Sequence, residues 1–222
     1  MTGPNRVSLP WSAADEMRHA SDGRLDWREE WAFWFWSADG LTGGYTGLTV
    51  VAGGTWYWAA LTRPGQPLLH VCEVDGPALR PGSSLLLKAE GLWADHDCEM
   101  PFGQWTVTNE CYAVALDDPD EVFARAYGVA TPIAFDLEWY ATDTPHEVEG
   151  GYGQVGAVHA VIELSGGPMH EEFRGYRTHR WGQWLWGSDE LVDGARAPLL
   201  VDGVRLERRL TDRGWSETAL RP

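Results

Sequence analysis

"GYTGLTVVAGGTWYWAALTRPGQPLLHVCEV", residues 44–74, decides the fold. Two runs rich in β-branched and aromatic residues meet at Ala52-Gly53-Gly54, and a second break at Arg63-Pro64-Gly65-Gln66 leads into a third such run. Small or turn-forming residues between short β-rich runs are the signature of hairpins, so the stretch reads as an antiparallel meander. Just upstream, "WREEWAFWFW" (27–36) places Trp27, Trp31, Phe33 and Phe35 on one face by period two and Trp34 and Trp36 on the other. A strand that is aromatic on both sides must be covered on both.

Further β-rich runs follow at 84–95, 104–116, 131–141, 154–165 and 170–186, each bounded by Gly, Pro, Asp or Asn. Helical patterning is confined to "DDPDEVFARAYG" (117–128), with Asp117 or Asp118 as cap and Pro119 at the first helical position. The tail at 197–214 carries an Asp202-Gly203 turn between two short apolar runs, a hairpin signal. Roughly ten to twelve strands with little helix specify an all-β protein, an antiparallel barrel or sandwich. Residues 1–222 read as one domain, with 144–154 as the most flexible stretch and the place where two sub-sheets would divide.

The composition narrows the function. Thirty-three acidic against seventeen basic residues give a net charge of -16, which repels nucleic-acid phosphates and anionic lipid headgroups. No apolar run approaches the roughly 18 to 20 residues of a membrane span, and the N-terminal segment has no hydrophobic signal core, so a cytoplasmic protein without membrane insertion is expected. Three cysteines, Cys72, Cys98 and Cys111, lack CxxC spacing and are expected to stay reduced. Fourteen tryptophans are the anomaly: indole lines large cavities and holds flat apolar bodies, although it also simply fills cores. GxSxG, P-loop, GxGxxG and HExxH motifs are absent from the sequence, which leaves hydrolase, NTPase and dinucleotide readings without support.

Three segments carry candidate chemistry. In "EGLWADHDCEMPFGQWTVTNE" (90–110), Asp95, His96, Asp97 and Glu99 crowd together, and a histidine between carboxylates is a general-acid candidate. Alternation puts Asp95 and Asp97 on one face and His96 on the other; the plain alternative is a solvated acidic turn. His96, Cys98 and Glu99 are ligand types, but their spacing matches no standard metal pattern, and neither a metal nor a cofactor is expected. In "IAFDLEWY" (133–140), Asp136 and Glu138 share one face; facing an apolar lumen they would be proton donors, facing water an ordinary polar surface.

The third segment is "GYRTHRWGQWLWG" (175–187). As a strand it lines up Gly175, Arg177, His179, Trp181 and Gln183 on one face, with Tyr176, Thr178, Arg180, Gly182 and Trp184 on the other. Cation, imidazole and indole on one face suit a site where Arg177 orients a polar group, His179 exchanges protons and Trp181 sets a substrate's plane. The structural alternative pairs Arg177 with a buried acid and hydrogen-bonds His179 in the core.

Residues 175–182 resemble the [H/R]-D-H-x-W-G strand of lipocalin-like proteins related to hydroxyneurosporene synthase (carotenoid 1,2-hydratase) and the AttH group. "WYWAALTRPG" (56–65), residues 90–121 and "FDLEWYAT" (135–142) are similar to the bacterial branch of the same superfamily. Arg177, His179 and Trp181 match the motif, whereas Thr178 stands where it carries Asp. The resemblance implies a calycin-type barrel, with the second barrel of two-barrel relatives reduced or missing. It also implies an enzyme of natural-product metabolism that binds a hydrophobic, unsaturated terpenoid or polyketide and promotes cyclisation, isomerisation or hydration. Expected proton-handling residues are His179, Arg177, Asp95, His96, Asp136 and Glu138. Expected substrate-binding residues are Trp181, Trp184, Tyr176, Trp93, Trp58, Trp34, Trp139, Trp105 and Glu110. The alternative is a non-catalytic carrier of a lipophilic molecule, and homo-oligomerisation is left open.

Overall fold

A computed structural model describes residues 10–183, apart from 53, 81, 83, 119–120 and 122–125, together with three later strands. The strands are β1 (Arg28–Trp36), β2 (Gly43–Val51), β3 (Gly54–Thr62), β4 (Leu68–Gly76), β5 (Leu85–Ala89), β6 (Leu92–Met100), β7 (Gln104–Leu116), β8 (Val129–Ala141), β9 (His146–Val148), β10 (Gly151–Leu164), β11 (Met169–Gly182), β12 (Leu199–Val201), β13 (Val204–Thr211) and β14 (Gly214–Leu220). The expected meander is β2 to β4, and the aromatic run upstream of it is β1.

The main sheet has the order β4-β3-β2-β1-β11-β10-β8-β7-β6-β5, and β4 also pairs β7, so the sheet closes on itself as an antiparallel barrel. Strand β7 makes this possible by being long. Its first part, from Gln104 to Cys111, pairs β6, and its last residues, Val114 to Leu116, pair β4. The β5–β6 hairpin is thereby inserted into the wall at one end of the barrel only. Residues 144–154 contain β9 and the start of β10, both within this sheet. A separate three-stranded sheet, β12-β13-β14, follows; Val201 opposes Val204, the pairing expected of a two-residue turn. Half of the helical pattern at 117–128, residues 119–120 and 122–125, lies outside the described residues.

Alternation drives the packing. Trp31, Phe33, Phe35, Leu48, Tyr57, Trp105, Val107, Phe135, Leu137, Trp139, Val158 and Ile162 all point inward and form the main core. Burial of apolar surface at about 25 cal/mol per Å² is the main force holding such a barrel shut. Two glycines make room for the largest ring: a Cβ at Gly175 would lie 2.9 Å from Trp139 Nε1, and one at Gly156 would overlap the Trp139 ring. A second cluster, Tyr45, Trp58, Ala60, Leu68 and Leu116, with Trp34 and Trp56 against it, covers the opposite face of β2 and β3. Trp34, packed on this cluster, answers the two-sided aromatic pattern of β1. Among the described residues no helix is long and apolar enough to cross a membrane.

Candidate functional site: a buried polar centre at one barrel mouth

The barrel end formed by the start of β10 and the end of β11 is not apolar. Arg177 and His179 project inward there, as their alternation with Tyr176 and Thr178 requires, and both are fully buried. Neighbouring strands add Tyr152 and Gln154 from β10, which stand opposite His179 and Arg177 in the register, and Glu29 from β1. An N-terminal strap, residues 10–19, lies over this end and supplies the rest. Ser12 shapes it: its N–H and hydroxyl donate to Asp15 Oδ2 at 2.6 and 2.9 Å, starting a 3-10 turn at Ala13–Glu16.

Glu16, at the end of that turn, is buried on Arg177. Arg177 Nη1 donates to Glu16 Oε2 at 2.9 Å and Nη2 to Oε1 at 2.6 Å, a bidentate pair. Gln154 Oε1 accepts from Arg177 Nε and Nη2 at 3.2 and 2.7 Å, while its amide donates to the carbonyls of Phe102 and Asp143. Phe102 has φ +57, an uncommon left-handed conformation for a bulky residue, and its N–H donates to Glu16 Oε1 at 2.6 Å. The Arg177 guanidinium also lies 4.9 Å over the Trp139 ring and 5.7 Å over Trp105.

Beyond this pair the contacts run on as a chain. Tyr152 Oη donates to Glu16 Oε2 at 2.8 Å and lies 3.2 Å from His179 Nδ1. His179 Nε2 lies 2.8 Å from Glu29 Oε1, and the same oxygen lies 2.7 Å from His19 Nδ1. His19 Nε2 is 3.3 Å from Asp15 Oδ1, and the His19 N–H holds Glu29 Oε2 at 3.0 Å. Rings brace the chain: Trp181 stacks on His19 at 4.0 Å and Trp31 on His179 at 4.4 Å.

The electrostatics follow from burial and partners. Burial alone would raise the Glu16 carboxyl, but the Arg177 charge and the hydrogen bonds from Arg177, Tyr152 and Phe102 outweigh it and hold Glu16 below the usual range. Burial pulls His179 down despite Glu29, so it is neutral. With Nε2–H donated to Glu29, its Nδ1 is left as an acceptor facing Tyr152. Burial also opposes protonation of His19, but Glu29 and Asp15 prevail and raise it. The Tyr152 hydroxyl has one proton and three acceptors within reach, Glu16 Oε2, His179 Nδ1 and, more distantly at 3.4 Å, the Asp15 carbonyl, so it is a branch point of the chain. His19, Glu29 and His179 present ligand atoms all within 4.8 Å of one another, the donor set a cation would need.

The other expected site residues lie elsewhere. His96 is fully inside the barrel, edge-on to Phe33, with no hydrogen-bond partner on either ring nitrogen; burial pushes it down to about 3. It is therefore neutral and no general acid, because Asp95 and Asp97 face the other way and stabilise no charge on it. Asp136 and Glu138 are exposed on the outer face of β8, where Glu138 accepts from Tyr140 Oη at 2.8 Å; they do not face a lumen. Trp105 and Trp139 are core residues beside Arg177, and Trp58 belongs to the second cluster. Tyr176 faces outward beside Trp34, at 5.9 Å, and His146. Trp93 and Glu110 stand opposite each other on β6 and β7 and line a groove of about 620 Å³ with Lys88, Tyr112, Pro132 and Glu163. Trp184 lies outside the described residues.

Sequence reasoning missed Asp15, Glu16, His19, Glu29, Tyr152 and Gln154. Glu29 alone left a signal, an acid on the Trp27–Trp31–Phe33 face of an otherwise apolar strand.

Residues 12–192 match the family model described as Domain of unknown function (DUF7064), so the chain belongs to that family, and the matched span includes all but the first two residues of the strap and every residue of the polar centre. No curated protein and no solved structure matches the chain.

Proposed function

We propose that this DUF7064 protein is a cytoplasmic enzyme of natural-product metabolism. It isomerises, hydrates or cyclises an unsaturated lipophilic small molecule, terpenoid or polyketide in type, at the polar centre beneath the strap. One observation carries the reading: an unbroken chain of contacts links Asp15, His19, Glu29, His179, Tyr152, Glu16 and Arg177 inside an aromatic barrel mouth. Burying so many polar and charged groups costs stability relative to an apolar core, and such clusters concentrate where a protein performs chemistry.

The parts divide the work. Displacing the strap frees the Trp181 indole face that His19 covers, a surface for an apolar body and for positive charge developing on it. Tyr152 is the group that gives or takes a proton at the substrate, with Glu16 and His179 as its side-chain partners. Arg177, fixed by Glu16 and Gln154, keeps Tyr152 and the strap in place. A substrate reaches the centre by displacing the strap, which then excludes water from reactive intermediates. Restraint of a flexible chain against these walls contributes to a cyclisation without any covalent role for the protein.

The test is proton exchange. A conjugated terpenoid ketone and a linear polyene are incubated with the protein in D₂O and analysed by mass spectrometry. Deuterium incorporation or a rearranged product with the wild type, lost in Tyr152→Phe, is the expected result; no turnover of any probe, or equal turnover in the variant, overturns it.

A second reading, a carrier without chemistry, is favoured by the groove lined by Trp93, Tyr112 and Glu110. It includes Leu164, at the end of β10 opposite Tyr152. Saturable quenching of tryptophan by an apolar probe, abolished by Trp93→Ala and accompanied by no turnover, would select it.

A further inference from the structure

We infer that His19, Glu29 and His179 form a binding site for one divalent transition-metal ion, with zinc as the ion whose coordination they suit. The inference goes beyond the proposed reaction and does not need it. Two imidazoles and one carboxylate are a donor set that holds zinc at catalytic sites, leaving a fourth position open for water or a substrate oxygen.

Four observations support the assignment. The first is convergence: the three ligand atoms lie within 4.8 Å of one another although they come from the strap, β1 and β11. Ligand atoms of a tetrahedral ion with bonds of about 2.0–2.1 Å stand roughly 3.3 Å apart. The contacts of 2.7 and 2.8 Å on Glu29 Oε1 therefore need to open by only about half an ångström, and His19, on the strap, is free of a sheet ladder.

The second is the outer shell. Metal-binding histidines use their remote nitrogen to contact a carboxylate or other fixed group. Here His19 Nε2 faces Asp15 Oδ1 at 3.3 Å and His179 Nδ1 faces Tyr152 Oη at 3.2 Å. The His19 N–H straddles both oxygens of Glu29, at 3.1 Å from Oε1 and 3.0 Å from Oε2, and so fixes the carboxylate whose Oε1 contacts both rings. Stacking of Trp181 on His19 and Trp31 on His179 fixes both ring planes.

The third is charge. The hydrogen-bonded centre contains three carboxylates, Asp15, Glu16 and Glu29, and one guanidinium, Arg177, which pairs Glu16. A dication between the rings offsets the remaining two. The fourth is access: His19 keeps 21% of its side chain exposed while Glu29 and His179 keep none, so an ion enters from the His19 side. With the ion seated, it replaces the hydrogens that Glu29 Oε1 accepts from the two rings, and Tyr152 and Glu16 are left as the proton-carrying pair.

Cobalt(II) titration of the chelator-treated full chain tests this without any substrate. One equivalent of Co²⁺ should bind with the visible d–d bands of a four- or five-coordinate site and be displaced by Zn²⁺, and Zn²⁺ should raise the melting temperature. His19→Ala, which removes a ligand from the strap and spares the barrel, should weaken binding by more than about tenfold. Asp15→Asn should weaken it by about tenfold or more through the outer shell. His159→Ala, at an exposed histidine paired with Glu172, should bind as the wild type does. Absence of d–d bands at millimolar Co²⁺, or binding unchanged in His19→Ala, overturns the site. Because the readout is binding alone, its failure leaves the proton-exchange reading standing, and the reverse is also true.

Discussion

Arg177 in β11 and Glu16 in the N-terminal turn form a bidentate ion pair with both side chains almost completely buried, across a sequence separation of 161 residues. The pair fastens the strap to the barrel mouth. Removing one member of a buried pair leaves the other charge unpaired out of water, at a cost of about 3–5 kcal/mol. Glu16→Ala is therefore expected to lower the free energy of urea unfolding by about that amount. The double variant Glu16→Leu/Arg177→Met should recover much of it, since no lone charge remains. A single-variant loss below about 1 kcal/mol would show that the strap is not held this way.

The same pair sets part of the acid limb of stability. The carboxyl of Glu16 is held below its ordinary value of 4.5, so folding gains from its ionised form. That contribution is complete above pH 4.5 and is lost as pH falls from there through the depressed folded value. In urea titrations across this range, Glu16→Gln should show a smaller fall in stability with acid than the wild type does.

His96 acts at higher pH. The folded protein holds it neutral down to about 3, whereas the unfolded chain protonates it near its ordinary 6.5. The unfolded state therefore binds the extra proton, and stability declines as pH falls from 6.5 towards 3. His70, pushed down by burial to about 4, adds a similar slope. His96→Phe removes both the titration and two unpartnered buried nitrogens, each worth about 1–3 kcal/mol when unsatisfied. It should be at least as stable as the wild type at pH 7 and should lose less on acidification to pH 5; a large loss at pH 7 would mean that the imidazole has a partner.

Gly156 and Gly175 flank Trp139 so closely that neither tolerates a Cβ without displacing the indole. Overpacking of this kind costs about 1–3 kcal/mol. Gly156→Ala should lower the melting temperature and shift the tryptophan emission, while Gly166→Ala, whose added Cβ would meet nothing within 4 Å, should do neither. Equal effects at the two positions would contradict the packing.

Most of the strands are legible in the sequence, for a local reason, although the run read at 84–95 is the β5–β6 hairpin and β9 left no signal. The period-two alternation of "WREEWAFWFW" and of the meander records which side of a pleated strand is dry, and the Gly and Pro breaks record where the chain must turn. It also placed Arg177 and His179 on one face, because side-chain direction in a strand follows from parity alone. Closure of the sheet through β4 and β7 was not legible, since it depends on the length of β7 relative to its neighbours. Nor did parity say which carboxylates face inward: Asp136 and Glu138 alternate as neatly as Glu29 does, yet the first two meet water and the third meets two histidines. The identity of the partners was decided only by tertiary structure. Glu16, His19 and Glu29 approach β11 because the strap folds over the barrel mouth, and no local pattern in a sequence encodes a contact that spans most of the chain.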